Sequence, residues 1–273
     1  MNIAIISDIE GISGNTWGNS YSLPPAGEEK YCAEMMTLEI NAVVQGLKDG
    51  GVDQIHLYEA HTMAPGILPD DIIFHRRDIE KMGAVCQAVY FVGQHAMASC
   101  RQGVLAHTRS SATIHRLFLN GMPCGELTLE AATFGAMGVP TVFCSGDAHA
   151  GREAEQNLPP LEFVCDEIGL TNHSAFCRPF QALAKELREK ARLALKRIST
   201  TPPFDVGAVE MRIEFQYHGM GEKIAGFSFA EWDGDFMVIR AKNMLEGGRL
   251  FNLQVDGRDF WCVLGRSQYQ RKR

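Results

Sequence analysis

The residues best suited to chemistry stand close to the amino terminus. The apolar run Ile3 to Ile6 predicts a β-strand, and Asp8-Ile9-Glu10-Gly11 and a Gly/Ser loop follow it. Because successive side chains of a strand point to opposite faces, Asp8 and Glu10 are expected on the same side of the chain. Two carboxylates at one strand end repel each other unless a cation, a shared proton or a basic partner neutralises them. This spacing predicts a cation site, and a solvated acidic turn is the alternative.

Further residues that can bind metal follow other predicted strands. His61 comes after the strand-like segment 54–58, His95 comes after 88–93, and Glu126 begins a predicted helix behind an Asn-Gly hairpin. The carboxyl ends of parallel strands meet at one edge of a sheet, where ligands bind. Imidazole and carboxylate groups bind Zn²⁺ and, less tightly, Mn²⁺ or Co²⁺. We therefore expect these side chains to share a metal site.

The candidate ligands are more numerous than one catalytic zinc requires, since such a zinc takes three protein ligands and one water. Two ions can be held if one carboxylate bridges them, and Asp8 is the best bridging candidate because its side chain is short and central. Two ions about 3.5–4 Å apart lower the pKa of a shared water, which is the chemistry of a hydrolase. His107 lies in a loop after His95 and has an ordinary pKa of about 6.5, which suits a catalytic role in proton transfer.

The remaining sequence predicts the elements that position these residues. Strand-like runs alternate with helix-like segments through the first two thirds of the chain, which indicates an α/β fold: a mostly parallel sheet with helices on both faces. Thr201-Pro202-Pro203 then marks a change to alternating polar and apolar residues. We predict an α/β metal-binding catalytic domain over 1–199 and a smaller C-terminal α+β domain over 200–273. Helices are expected over residues 27–48, 126–137 and 179–198.

Composition narrows the class of protein. The chain has 273 residues, of which 45% are hydrophobic, and a formal net charge of -7. That balance argues against a general nucleic-acid or anionic membrane surface. The eight cysteines form no C-x-x-C pair, and several lie in apolar runs, which is typical of a reducing compartment. With no signal-like segment and no long apolar run, we expect a cytoplasmic protein.

In order and spacing, the motifs resemble those of the DppA-type zinc D-aminopeptidases, which are self-compartmentalising metallo-aminopeptidases. The resemblance covers about the first 160 residues and rests on Asp8-Ile9-Glu10-Gly11-Ile12-Ser13-Gly14, Ala60-His61, Val92-Gly93-Gln94-His95-Ala96, Gly103-Val104-Leu105-Ala106-His107, Gly125-Glu126-Leu127 and Ser145-Gly146-Asp147. It implies a cytoplasmic hydrolase with a dinuclear zinc site that assembles into a homo-oligomeric ring. Its implied substrates are short peptides that begin with a D-amino acid, typically D-alanine.

The resemblance also implies a role for each candidate ligand. Asp8 would bridge two zinc ions. Glu10 and His61 would complete the ligands of one ion, and His95 and Glu126 those of the other. The five residues therefore form one predicted dinuclear centre.

His107 matches the family's catalytic histidine, which does not bind metal. The chain departs from the family pattern at Thr128 and Glu130, and at Ala148-His149 after Asp147. These changes lie near the predicted pocket and bear on the substrate more than on the metals. Glu130 is on the same helical face as Glu126, where it could bind a substrate amine, orient a ligand histidine or be solvated; the roles of Asp147 and His149 stay open.

Other functions compete with the aminopeptidase. A dinuclear amidase could act on another small amide, and a non-catalytic protein could bind a peptide or metal without turnover. A dinucleotide-binding oxidoreductase would also show alternating strands and helices. However, the first turn lacks G-x-G-x-x-G and places Asp8 and Glu10 where a pyrophosphate would lie, which argues against it.

Overall fold

The computed structural model of the chain describes residues 1–16, 28–59, 72–75, 79–217, 231–251, 254–255 and 258–259. The strands are β1 (Asn2–Ser7), β2 (Gln54–Glu59), β3 (Ile72–His75), β4 (Ala88–Gln94), β5 (Ile114–Leu119), β6 (Met122–Pro123), β7 (Thr141–Asp147), β8 (Glu162–Thr171), β9 (Ser174–Cys177), β10 (Val209–Phe215), β11 (Glu231–Asp233), β12 (Phe236–Ala241), β13 (Gln254–Val255) and β14 (Arg258–Asp259). The helices are α1 (Glu28–Asp49), α2 (Ile79–Gly83), α3 (Glu126–Gly135), α4 (Ala148–Asn157), α5 (Phe180–Ala194) and α6 (Met244–Phe251).

The main sheet has the strand order β3-β2-β1-β4-β7-β8-β9. Neighbouring strands are parallel except at the edge, where β9 runs antiparallel to β8. From β1, an interior strand of the sheet, the chain moves outward through β2 and β3, and then returns to the other side of β1 as β4. The strand order therefore reverses between β1 and β4, and in open parallel sheets a ligand crevice forms at that point.

Helices cover both faces of this sheet, as the sequence predicts. Ile3 and Ile5 of β1 pack in one buried cluster with residues of α1 and α5. Ala4 and Ile6 pack on the opposite face with residues of α2, α3 and α4. A strand buried on both faces has a continuous apolar sequence, which explains why β1 was recognisable from its residues alone.

A second, antiparallel sheet has the order β11-β12-β10-β5-β6. The β5–β6 hairpin turns through Asn120 and Gly121, whose φ angles are +50° and +82°, as expected for an Asn-Gly turn. β10 pairs with β12 on one side and with β5 on the other. The small sheet thus includes strands from both sides of the boundary at 199/200, and the division into two domains stays a prediction.

Two further findings concern cysteine and membrane. The seven described cysteines carry free thiols. Within the described segments, no helix combines the length and the apolar character needed to cross a bilayer.

Glycine lets the ends of β1 and β4 approach each other closely. The backbone N–H of Gly11 donates to the carbonyl of Gly93 at 2.9 Å, and that of Asp8 to the carbonyl of Val92 at 2.8 Å. A Cβ atom at Gly11 would lie 2.0 Å from the carbonyl oxygen of Gln94. Only a residue without a side chain allows this contact, which brings the loop after β1 against the carboxyl end of β4.

We expect Gly11→Ala to lower the free energy of unfolding by about 1–3 kcal/mol, because the two backbones must separate to admit a methyl group. Urea unfolding followed by circular dichroism measures the loss. Gly248→Ala is the control: among the described residues, its Cβ would meet only Thr133 Oγ1 at 4.0 Å, and alanine is favoured over glycine inside a helix. Equal destabilisation by both substitutions would contradict the steric explanation.

Candidate metal centre

Asp8 and Glu10 lie at the reversal of strand order, and their side chains are buried, with residue exposures of 7% and 6%. β1 ends at Ser7, so the two residues stand in the turn that follows and not on the strand itself. The expectation that strand alternation aligns them is therefore wrong. Hydrogen bonds from the backbone of Asp8 and Gly11 to β4 hold this turn instead, and they direct the loop into the crevice.

His95 follows β4 directly and faces both neighbouring carboxylates. Its Nε2 atom lies 3.4 Å from Asp8 Oδ2 and 3.5 Å from Glu126 Oε1. Its Nδ1 atom donates to the carbonyl of Ala96 at 3.0 Å. Metal-binding histidines commonly donate their second ring nitrogen in this way, which fixes the tautomer and the ring orientation. Nε2 of His95 is thus oriented as a ligand atom.

His107 packs beside His95, with ring centroids 4.0 Å apart. Its Nδ1 donates to the carbonyl of Leu105 at 2.8 Å, and its Nε2 lies 3.7 Å from Glu126 Oε1. The side chain of His107 is 19% exposed, whereas that of His95 is 2% exposed. Of the two imidazoles, His107 is therefore the one that a small molecule can reach.

Asp147 positions the loop that carries His107, which answers one question that the sequence left open. Its Oδ2 accepts a hydrogen bond from the backbone of Val104 at 2.9 Å. Its Oδ1 accepts one from the backbone of His149 at 2.6 Å and so caps the amino end of α4. A capping carboxylate satisfies an unpaired N–H of the first helical turn. Asp147 therefore ties α4 to the His107 loop.

Glu126 is the first residue of α3, and Glu153 closes the amino end of that helix. Glu153 Oε1 accepts hydrogen bonds from the backbone of Gly125 at 2.8 Å and from the hydroxyl of Thr128 at 2.6 Å. Because Gly125 has no side chain to cap α3, Glu153 from α4 takes that function. No local pattern of residues predicted this role for Glu153, because Glu153 lies on α4 and caps a different helix, α3.

Arg109 was also missed, although it lies two residues after His107. Its guanidinium contacts Glu126 Oε2 and Glu130 Oε1, each at 3.0 Å. Glu130, which was left with several possible roles, is therefore the ion-pair partner of Arg109. The sequence did contain one signal, which was charge. Arg109 stands near a predicted metal site, and Glu130 is one carboxylate more than the metals in that site need.

The pKa values reflect this crowding of charge. Burial alone would lower the pKa of His95, but its hydrogen bond to Glu126 and the charges of Asp8 and Glu126 outweigh burial and raise the pKa to about 10. Burial raises the pKa of Glu130 to about 7, despite the opposing effect of Arg109. Burial and the neighbouring His95 lower the pKa of His107. The site thus concentrates negative charge that attracts a cation.

The donor set fits a divalent metal. One ligand atom from each of His95, His107 and Glu126 lies within 4.8 Å of the others, and Asp8 adds a carboxylate to the same place. Imidazole nitrogen with carboxylate oxygen is a typical zinc donor set. Glu10 lies near enough for its charge to raise the pKa of His95, and His61 lies outside the described residues.

Fold and site together define an α/β protein with metal-type donors where the strand order of a parallel sheet reverses. Residues 1–253 match the Peptidase_M55 family, described as D-aminopeptidase, and the chain belongs to this family. The prediction of an aminopeptidase is confirmed by that membership, and the protein is an enzyme.

Two relatives extend this finding. The chain is 24% identical over 238 residues to a D-aminopeptidase of Bacillus subtilis (strain 168), covering 81% of this chain and 84% of the relative. It is also similar to the structure of the Zn-dependent D-aminopeptidase DppA from Bacillus subtilis, a self-compartmentalizing protease. That match has a TM-score of 0.83 at 22% identity and covers 100% of this chain and 99% of the other. It confirms the α/β fold predicted from the sequence.

Proposed function

We propose that this protein is a zinc-dependent aminopeptidase that removes a D-amino acid, above all D-alanine, from the amino terminus of short peptides. The observation that carries the proposal is the meeting of His95 Nε2 with the carboxylates of Asp8 and Glu126 at the reversal of strand order. The names of both relatives support the D-amino acid as substrate, and the name of the structural relative supports zinc as the metal.

The proposed centre holds two zinc ions, with Mn²⁺ or Co²⁺ as possible substitutes. Asp8 would be shared between the two ions, Glu10 and His61 would complete the ligands of one, and His95 and Glu126 would complete those of the other. When bound, zinc polarises the amide carbonyl and lowers the pKa of a water molecule. Five ligands with one shared carboxylate satisfy the three protein ligands that each catalytic zinc takes.

The chain's own residues supply the remaining chemistry. His107 carries a proton on Nδ1, which donates a hydrogen bond to the carbonyl of Leu105. With that proton on Nδ1, the Nε2 of His107, which lies 3.7 Å from Glu126 Oε1, is placed to accept a proton from the attacking water. The imidazolium so formed can stabilise the developing oxyanion or pass the proton to the leaving amine. Burial of Asp8 and His95 excludes water, which strengthens these electrostatic interactions.

We also propose that the protein acts in the cytoplasm and assembles into a homo-oligomeric ring; the description of the structural relative as self-compartmentalizing supports the assembly. Three large apolar side chains on the β8–β9 hairpin are exposed: Ile168 by 49%, Leu170 by 42% and Phe176 by 66%. Exposed apolar groups in one place are typical of contact surfaces. The proposed partners of the protein are then a small peptide substrate and further copies of the same chain. Nucleic acid and membrane are not among the proposed partners.

Metal removal tests the proposal directly. We expect a chelator to abolish hydrolysis of D-alanyl dipeptides and added Zn²⁺ to restore it, because the reaction needs the metal. Metal analysis should give about two zinc ions per chain, and matched L-alanyl dipeptides should be cleaved far more slowly. Hydrolysis that survives chelation would contradict the metal centre, and turnover of other small amides in place of D-peptides would favour the alternative amidase.

A further inference from the structure

Arg109 binds both oxygens of Glu126. Its backbone N–H donates to Glu126 Oε1 at 2.7 Å, and its Nη1 lies 3.0 Å from Glu126 Oε2. Arg109 makes this double contact from a left-handed backbone conformation, with φ of +58°. Such a conformation is uncommon for residues other than glycine, and it concentrates at functional sites, where surrounding contacts maintain it.

The two oxygens of Glu126 have different sets of partners. Oε1 accepts a hydrogen bond from the backbone N–H of Arg109 at 2.7 Å and also faces the ring nitrogens of His95 and His107, at 3.5 and 3.7 Å. Oε2 is bound by the planar guanidinium, which fixes the plane of the carboxylate more strictly than a lysine ammonium would. Arg109 therefore presents one oxygen of Glu126 toward the imidazoles and withholds the other.

A guanidinium at this position would by itself oppose a metal ion, since it cancels the charge of Glu126. Glu130 offsets this effect. It lies one helical turn after Glu126, and its Oε1 lies 3.0 Å from Arg109 Nη2. The three groups together carry one negative charge, the same as Glu126 alone. The orientation of Glu126 is thus achieved without loss of attraction for a cation.

We propose that Arg109 and Glu130 are a positioning pair for Glu126: Arg109 orients this ligand, and Glu130 preserves its charge toward the metal. The inference rests on the proposed function in one respect, namely that Glu126 binds zinc. Neither residue contacts the substrate in this role.

The single variants Glu130→Gln and Arg109→Gln should differ in their effect on zinc affinity. At about pH 8, where Glu130 with its pKa of about 7 is ionised, Glu130→Gln is expected to weaken zinc binding by about 10–100-fold. Arg109→Gln is expected to leave zinc affinity equal or tighter, because both carboxylates remain, while kcat falls. In the double variant, zinc affinity should return to within about threefold of the original protein. Competition with a chromogenic chelator measures affinity without any activity assay.

A merely structural pair predicts another result: both single variants would weaken zinc binding alike, and that outcome would overturn the proposal. Glu214→Gln is the matched control, since it breaks the Arg116–Glu214 pair on the second sheet and should not change zinc affinity. If Glu130→Gln does not fold, Arg109→Lys replaces it as the test. Lysine retains the charge but loses the two-point contact, so zinc affinity should be retained and kcat should fall; a large loss of affinity would reject the proposal.

His95→Ala separates this inference from the proposed function. If His95→Ala leaves zinc affinity unchanged, the metal centre is wrongly placed, and the proposed function fails together with the inference. If His95→Ala abolishes zinc binding while Glu130→Gln binds zinc like the original protein, the inference alone fails.

Discussion

Replacement of Asp8 by asparagine is expected to abolish zinc binding and to lower kcat/KM for D-alanyl dipeptides by about 10³-fold or more, which corresponds to a loss of at least ~4 kcal/mol of transition-state stabilisation. Asparagine has nearly the same shape but carries no charge, so it cannot bridge two cations. Metal content per chain after dialysis and steady-state kinetics with D-alanyl dipeptides measure the two effects. Because Asp8 Oδ2 lies 3.4 Å from Nε2 of His95, another proposed zinc ligand, the loss of zinc and the loss of kcat/KM should occur together.

Asp166→Asn is the matched control for Asp8→Asn. Asp166 is a fully buried carboxyl on the same sheet, in β8, outside the cluster around His95. Burial and the charge of Glu39 raise the pKa of Asp166 well above its usual value, which favours the neutral carboxyl and makes asparagine a close substitute. Zinc content should stay at its original level. Retention of full zinc content by Asp8→Asn would refute the bridging role.

His107→Ala is expected to lower kcat by about 10²–10⁴-fold, the usual contribution of a general acid or base, while zinc content stays unchanged. The reason is the position of His107: its ring is accessible, and its Nε2 lies 3.7 Å from Glu126 Oε1. KM should change little, because the side chain is proposed to act on the reacting groups and not on binding. Metal analysis measures the zinc content, and steady-state kinetics measures kcat and KM.

Two further histidine variants serve as controls for His107→Ala. His95→Ala should lose zinc, since the Nε2 of His95 lies between two carboxylates. His115→Ala should affect neither property, because His115 lies on β5 and contacts Ser99 near the surface. Loss of zinc from His107→Ala would show that His107 is a ligand, which its distance to His95 and Glu126 also permits, and would end its assignment as a catalytic residue that binds no metal.

The elements that could be predicted are those whose signal is local. β1 and β4 are continuous apolar runs, and the β5–β6 hairpin has an Asn-Gly turn. α1 was predicted at 27–48 and spans Glu28–Asp49. In each case, neighbouring residues in the chain carry enough information to specify the conformation.

The β8–β9 hairpin received no assignment from the sequence. β8 contains Asp166 and Glu167, and both are fully buried, whereas charged residues normally interrupt a core strand. Glu39 from α1 and the backbone of Gly14 lie against them and contribute to their altered pKa values. Because those neighbours come from distant segments, the pattern of residues around β8 gave no indication of its burial.

Residue type and strand order by themselves determined the reaction centre that we propose: acids and imidazoles stood at the ends of successive strands, and parallel strands bring those ends together. Only the tertiary structure decided what surrounds the centre. Arg109 reaches Glu126 and Glu130 from a loop, and Glu153 caps α3 from another helix. A hydrogen bond or ion pair depends on distances of about 3 Å, and between distant segments such distances follow from packing, which no local pattern of residues encodes.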